Sequence, residues 1–366
     1  MSRRLLVLAA AVLAAAPVAA DAADPGRWKL AQSDSVPLEY FQGLTHGTTG
    51  NVLFLGLFEG AYRTDRRLKE QARVAPSMYP ADVAAIGFNH AGDPTSDTAE
   101  GGRFLIPMEC YRPDMSPANT CGIGGFGVLD PTTLAWRYWV RLDQADIPKA
   151  MWAEVSPEGR LIWTSSGNDL LAYRTADIAA ANAATSASST PIKPVQRLTG
   201  VVPPSGITGA VFQDGRLLLS GESDGLLQVW SVDLTGATPS RLEIELPGVN
   251  AEPEGLDNLA MRGGLLHWLL SPLVADPTYG SGHSELLTFV PAGKDRLKIK
   301  AVRSGRDVIA TVSTAYGALQ GAVVRAGTKK ATTAANGKAR LRKVPKGAFT
   351  ITASKPALRA AKKTVR

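Results

Sequence analysis

The sequence predicts an all-β chain, a β-propeller followed by a small β-sandwich. Two observations carry that reading. A short signature returns at intervals of roughly fifty residues, and the charge of the chain divides near residue 294. Apolar runs are short and bounded by Gly, Pro, Asn and Asp, with little helical periodicity, which is the pattern of strands.

The signature comes first. Phe41-Gln42-Gly43-Leu44-Thr45 precedes the strand-like residues 51–55, Pro204-Ser205-Gly206-Ile207-Thr208 precedes 216–220, and Pro253-Glu254-Gly255-Leu256-Asp257 precedes 264–269. Weaker copies are Asn89-His90-Ala91-Gly92-Asp93 before 103–107 and Trp152-Ala153-Glu154-Val155 before 160–164. With Gly43, Gly92, Ala153, Gly206 and Gly255 as register marks, the steps are 49, 61, 53 and 49 residues. The long step contains an insertion holding Cys110 and Cys121. Asp224-Gly225 between two apolar runs is a hairpin signal. The same turn completes Gly221-Glu222-Ser223-Asp224-Gly225, a match to the G-x-S-x-G nucleophile pattern without the strand-to-helix setting that pattern needs. Repeated β-units of this length read as propeller blades over residues 38–293. Five blades are expected, with six as the alternative count and a plain sandwich as the competing architecture. The ring would be closed by a strand from residues 27–38, within and just after the N-terminal segment 24–37, or from 295–303, within the linker 294–306.

Residues 1–23 read as an export signal: Arg3 and Arg4, an apolar run over 5–16, then small residues. The run is shorter than the roughly 20 residues that span a bilayer. A secreted chain, extracellular or cell-wall associated and monomeric, is therefore expected. In that oxidising setting Cys110 and Cys121 should form a disulfide. Residues 179–190 are Ala/Ser/Thr-rich and suit either a short helix starting near Asp177 or a loop.

The C-terminal part is basic. Residues 294–366 hold 19 Lys and Arg against 2 Asp and Glu, a net of +17, whereas residues 24–293 hold 19 against 30, a net of −11. Such asymmetry marks a domain boundary. In residues 307–366 short alternating strands surround a turn at Asn336-Gly337. The order G-A-x-V-x-x-G, T-T-x-x-G-x-A-x-L, G-x-F-x-I resembles the carboxypeptidase regulatory-like family of small transthyretin-like sandwiches. That resemblance implies an accessory or adhesion module. The cluster Lys338, Arg340, Arg342, Lys343 and Lys346, with Arg359, Lys362, Lys363 and Arg366 beyond it, would attract a polyanion such as an anionic cell-surface polymer. With one Tyr and one Phe in the region, stacking on nucleic-acid bases is not expected.

Blade starts converge on a propeller axis, and here they carry polar residues: Gln42, Thr45, His46, Asn89, His90, Asp93, Glu154, Thr208, Glu252, Glu254 and Asp257. Carboxylate, amide and hydroxyl oxygens together suit Ca²⁺. The starts at Gln42-Gly43-Leu44-Thr45 and Glu252-Pro253-Glu254-Gly255-Leu256-Asp257 resemble those of phytase-like and paraoxonase/gluconolactonase-type calcium propellers. The resemblance implies Ca²⁺ as cofactor, Glu254 as its first ligand, and Asp93, Glu154 and Asp257 beside it. Gln42 stands where that family has Glu and becomes a ligand-binding candidate. His46 and His90 occupy similar starts and would suit a general base and its partner. Trp152 would stack on a sugar, and Glu109 would be positioned by the neighbouring disulfide. The expected function is binding of a small molecule or extracellular glycan in the central channel, with calcium, while the basic domain holds the protein to an anionic surface. The alternatives are a calcium-dependent ester or phosphoester hydrolase and a metal-free protein-interaction scaffold.

Overall fold

The computed structural model describes residues 27–56, 59–98, 102–112, 115, 120–181, 190–203, 206–235, 240–247, 251–272 and 282–366. The export signal lies outside them, as does most of the low-complexity stretch beyond the helix Thr175–Ala181.

Five sheets surround one axis, and each is built from strands consecutive in sequence except at the point of closure. Blade 1 runs outward through Gly43–His46, Val52–Leu55, Ala61–Thr64 and Glu70–Val74. Blade 2 begins with two short pieces, His90–Ala91 and Thr95–Asp97, both paired to Arg103–Glu109, and continues with Gly125–Leu129 and Trp136–Arg141. Blade 3 holds Glu154–Val155, Leu161–Ser166, Asp169–Arg174 and Gln196–Leu198. Blade 4 holds Gly206–Gln213, Arg216–Ser223, Leu226–Val232 and Arg241–Pro247. Blade 5 takes Ala251–Asp257, Leu266–Pro272 and Ser284–Pro291, and its outermost strand is the N-terminal Trp28–Val36, antiparallel to Ser284–Pro291. The two ends of the ring are thus joined in one sheet. The innermost strands touch in a closed cycle through blades 1, 2, 3, 4, 5 and back to 1. The fold is a β-propeller.

The hydrophobic pattern explains the stacking. Side chains alternate between the faces of a strand, and a blade is covered on both faces, so its strands read as unbroken apolar runs. Leu53 and Leu55 pack with Phe104 and Ile106 of blade 2, whereas Val52 and Phe54 pack with Leu269 and Leu286 of blade 5. Further apolar layers lie between blades 2 and 3 (Phe126 and Tyr173), 3 and 4 (Trp163 and Leu219), and 4 and 5 (Val229 and Trp268). In blade 4 the chain turns at Asp224 and Gly225, both with positive φ (53° and 72°), the requirement of a tight hairpin. The G-x-S-x-G pattern is this turn. Cys110 and Cys121 are joined in a disulfide within the blade 2 insertion.

The remaining strands form two packed sheets. One contains Lys298–Ser304, Asp307–Thr314, Gly317–Ala318 and Lys338–Leu341, and the other, in spatial order, Lys329–Thr332, Val323–Ala326, Phe349–Lys355 and Leu358–Val365. Of the two segments able to close the propeller, the one near residue 300 belongs to this second domain. Its core (Val308, Val312, Val324 and Ile351) continues into Ala31 and Val290 of blade 5. Arg262 fastens the junction by pairing with Asp34 and donating to Gln320 Oε1 at 3.2 Å.

Near the axis the backbones approach so closely that only glycine fits. A Cβ on Gly92 would lie 1.7 Å from the Met151 carbonyl oxygen, and one on Gly255 would lie 2.7 Å from the Leu44 nitrogen, whereas one on Gly206 would meet nothing within 4 Å. Gly255→Ala and Gly92→Ala should therefore each lower unfolding free energy in urea by at least about 1–3 kcal/mol, the cost of overpacking. Gly206→Ala should stay within about 0.5 kcal/mol, as surface changes do. Equal effects at all three positions would contradict this packing.

Candidate functional site

Asp93 sits where all five blades meet. It is fully buried, its Oδ1 accepts from the Leu44 N–H of blade 1 at 3.0 Å, and its Oδ2 accepts from Ala210 N–H of blade 4 at 3.0 Å and Leu256 N–H of blade 5 at 3.2 Å. Its main chain, part of blade 2, bridges to blade 3: Asp93 N–H donates to Met151 O at 2.9 Å and Ala153 N–H donates to Asp93 O at 3.0 Å. Gly43, Gly209 and Gly255 crowd this carboxylate, each too close to it or to the Asp93 main chain for a Cβ. In blade 4 the axial glycine is Gly209, not the register mark Gly206.

The inner strands end beyond Asp93 in a pocket of about 270 Å³ lined by Thr45, His46, Thr95, Glu154, Ser156 and Asp257, among others. His46, one-third exposed, places Nδ1 2.6 Å from Oδ1 of the buried Asp257, whose Oδ2 accepts from Leu259 N–H at 3.0 Å. The Asp257 charge raises His46 to about 9 despite the opposing effect of burial. Burial pushes Asp257 upward, but His46 and the other donors prevail and hold it below the usual carboxylate value. At neutral pH the pair is therefore an imidazolium on a carboxylate. Beneath it lies His267, which burial keeps below its ordinary value. Its Nε2 is 2.8 Å from Leu259 O and its Nδ1 3.0 Å from Thr288 Oγ1, so it braces the turn that serves Asp257.

Glu154 is a further ionisable group of the pocket, whose lining also includes Asp97 and Glu158. Burial raises it to about 7 against two opposing hydrogen bonds, from Phe212 N–H to Oε1 at 3.0 Å and from the Thr95 hydroxyl to Oε2 at 2.7 Å. The Asp257 charge adds to the rise. A carboxyl half-ionised at neutral pH beside a protonated imidazole can accept or release a proton there. Sequence reading did not single out Thr95 or His267. Hydroxyl and imidazole side chains inside strand-like runs carry no distinguishing spacing.

The other expected site residues lie elsewhere. His90 is on the opposite side of Asp93 along the axis, at the mouth where the inner strands begin. Its Nδ1 is 3.0 Å from Glu109 Oε1 but misaligned for a hydrogen bond, and its ring packs on Tyr111 at 4.9 Å. It does not meet His46. Gln42 is buried and donates to Glu254 Oε2 at 3.3 Å. Trp152, expected to stack on a ligand, is fully buried, and its indole N–H donates to Ser165 Oγ at 2.8 Å, so no ring face is open to a ligand.

The four carboxylates proposed for calcium do not fit a shared ion. Glu254 accepts from the Ser271 hydroxyl at 2.9 Å as well as from Gln42, and the carboxylates of Asp93, Glu154, Glu254 and Asp257 are each turned to their own protein donors rather than to one common point. A calcium ion needs six to eight oxygens turned to one point. Among the described residues no group of three or more His, Cys, Asp or Glu side chains is arranged to hold a metal.

No family model matches the chain and no curated protein matches it. Solved structures similar to it include a PQQ-bound aldose sugar dehydrogenase from Streptomyces coelicolor, at 10% identity and a TM-score of 0.37, covering 73% of this chain and 100% of that one. A glutaminyl cyclase from Myxococcus xanthus aligns at 9% identity and a TM-score of 0.41, covering 72% of this chain and 97% of that one. Likeness at this level says nothing about what this chain binds.

The His46–Asp257 pair has a direct signature. Of the four histidine C2–H resonances, one should titrate near pH 9 by NMR, as His46 requires. In Asp257→Asn it should move below the ordinary 6.5, because burial, aided by Arg66, then outweighs the remaining pull of the Glu154 charge. Four histidines titrating at or below 7 in the parent protein would contradict the pair.

Proposed function

We propose that this chain is a secreted propeller that binds a small hydroxylated molecule, no larger than a simple sugar, in the axial pocket around His46 and Glu154. One observation carries the reading: a solvent-facing imidazolium, fixed by a buried carboxylate, shares a hydroxyl-lined pocket with a carboxyl that titrates near neutrality. The imidazolium supplies a fixed charged donor and Glu154 an adjustable acceptor, while Thr45 and Ser156 offer hydroxyls. The volume lies just under the roughly 300–1,000 Å³ of drug-sized ligand pockets. Because Asp93 blocks the axis, the ligand enters from one end and does not thread a channel. The disulfide supports an extracellular setting, and no described helix is long and apolar enough to cross a membrane. Calcium has no part in this reading.

Ester or phosphoester hydrolysis is a second reading, favoured by Glu154 alone. A general acid or base works best with a pKa near the working pH, and Glu154 is at about 7.

Calorimetric titration with a panel of monosaccharides and polyols, at pH 6 and pH 8, tests the binding proposal. At least one compound should bind, and more tightly at pH 8, where ionised Glu154 is the better acceptor. His46→Gln and Glu154→Gln should each weaken it tenfold or more, and Glu154→Gln should abolish the pH dependence. A panel without a ligand, or binding that survives both substitutions, would refute the assignment.

A further inference from the structure

We propose that the outer face of the second domain's C-terminal sheet binds a linear polyanion carrying phosphate or sulfate groups. The inference is independent of the axial pocket. Register places four residues side by side across the four strands: Lys330 opposite Arg325, Arg325 opposite Thr352, and Thr352 opposite Lys362. At about 4.8 Å between strands the row spans roughly 14 Å. Their chain neighbours Val324, Ala326, Ile351 and Ala353 point inward to the core, so Arg325 and Lys330 stand on the solvent side with Lys362. Thr332, Thr350, Ser354 and Thr364 flank the row and add hydroxyl donors.

Among the described residues no acidic side chain pairs with this row. From residue 294 onward the acidic residues are Asp295 and Asp307. Asp295 is taken by Arg359 at 2.9 Å and Asp307 by Arg340 at 2.7 Å. Like charges directly opposite each other in a sheet are unfavourable, yet Arg325 and Lys330 are such a pair. A polymer with anions every few ångströms along a line relieves that repulsion by lying across the strands. The face offers no exposed aromatic ring, because Phe349 is partly buried and covered by Arg303. Recognition would thus read charge and spacing, not bases. The propeller, at −11 over residues 24–293, repels the same polymer and confines it to this domain.

The test measures binding of the signal-free chain to long-chain inorganic polyphosphate and to dextran sulfate, with neutral dextran as control, over a range of salt. Both polyanions should bind and neutral dextran should not. Arg325→Glu/Lys330→Glu/Lys362→Glu should weaken binding more than tenfold and flatten the log–log salt slope by about 2, from roughly 0.7 per lost contact. Lys298→Glu/Lys300→Glu/Lys338→Glu, an equal charge change on the other sheet, should weaken it less than threefold. Lys330→Glu alone converts a repulsive cross-strand pair into an attractive one. It should leave the melting midpoint unchanged or higher while lowering affinity, which misfolding does not do. Equal losses in the two triple variants, or binding to anionic lipid vesicles with none to either polymer, would overturn the proposal.

Discussion

The carboxylate of Asp93 is the constraint on which the propeller is arranged. Three N–H groups from blades 1, 4 and 5 point at its two oxygens, and its own peptide group joins blade 2 to blade 3. Apolar layers hold neighbouring blades face to face, but they are non-directional and would tolerate a looser ring. Hydrogen bonds to one buried group set the radius. That demand reaches back into the sequence as glycine at positions 43, 92, 209 and 255, where any side chain would collide with the hub or its surroundings. Burial pushes Asp93 well above its ordinary value, and the three N–H bonds act against that rise.

The plug also decides where chemistry can occur. It divides the axis into two mouths, and the sheltered polar pocket lies where the inner strands end. There the electrostatics are layered: neutral His267 braces the Leu259 turn, the Leu259 N–H holds Asp257, and Asp257 keeps His46 protonated. Glu154, also in this pocket, is raised as well, but chiefly by burial. A fixed cation and an adjustable acid arise from one buried arrangement. The two carboxyls diverge, Glu154 raised and Asp257 lowered, because their environments do, and that divergence is what distinguishes the pocket from an ordinary wet cleft.

The propeller was legible in the sequence because each blade repeats the same physical problem. Strands buried on both faces must be apolar throughout, and the turns between them need residues such as Asp224 and Gly225. The repeat thus survived even where the signature was weak, as at Trp152 and Glu154. The site was less legible. Sequence period gives angular position around a ring but not height along its axis, so His46 and His90 looked equivalent although Asp93 separates them. Height also decides which glycine is axial, and in blade 4 Gly209 serves in place of Gly206. Trp152 stands at a blade start like the polar candidates, but its bulk fills the layer between blades 3 and 4. Asp93 was visible as a carboxylate at a blade start. Its three main-chain donors were not, because backbone N–H groups leave no mark in a sequence.

The central claim, that one carboxylate gathers the blades, is tested most directly by equilibrium urea unfolding of Asp93→Asn beside the parent protein. An amide keeps the size and one acceptor oxygen, but turns its NH₂ toward at least one of the three N–H donors. Leaving a buried donor unsatisfied costs about 1–3 kcal/mol, so the variant should unfold at lower urea by at least that amount, as one cooperative loss of the whole propeller. A variant within about 0.5 kcal/mol of the parent, the range of ordinary surface changes, would show that the blades close without Asp93.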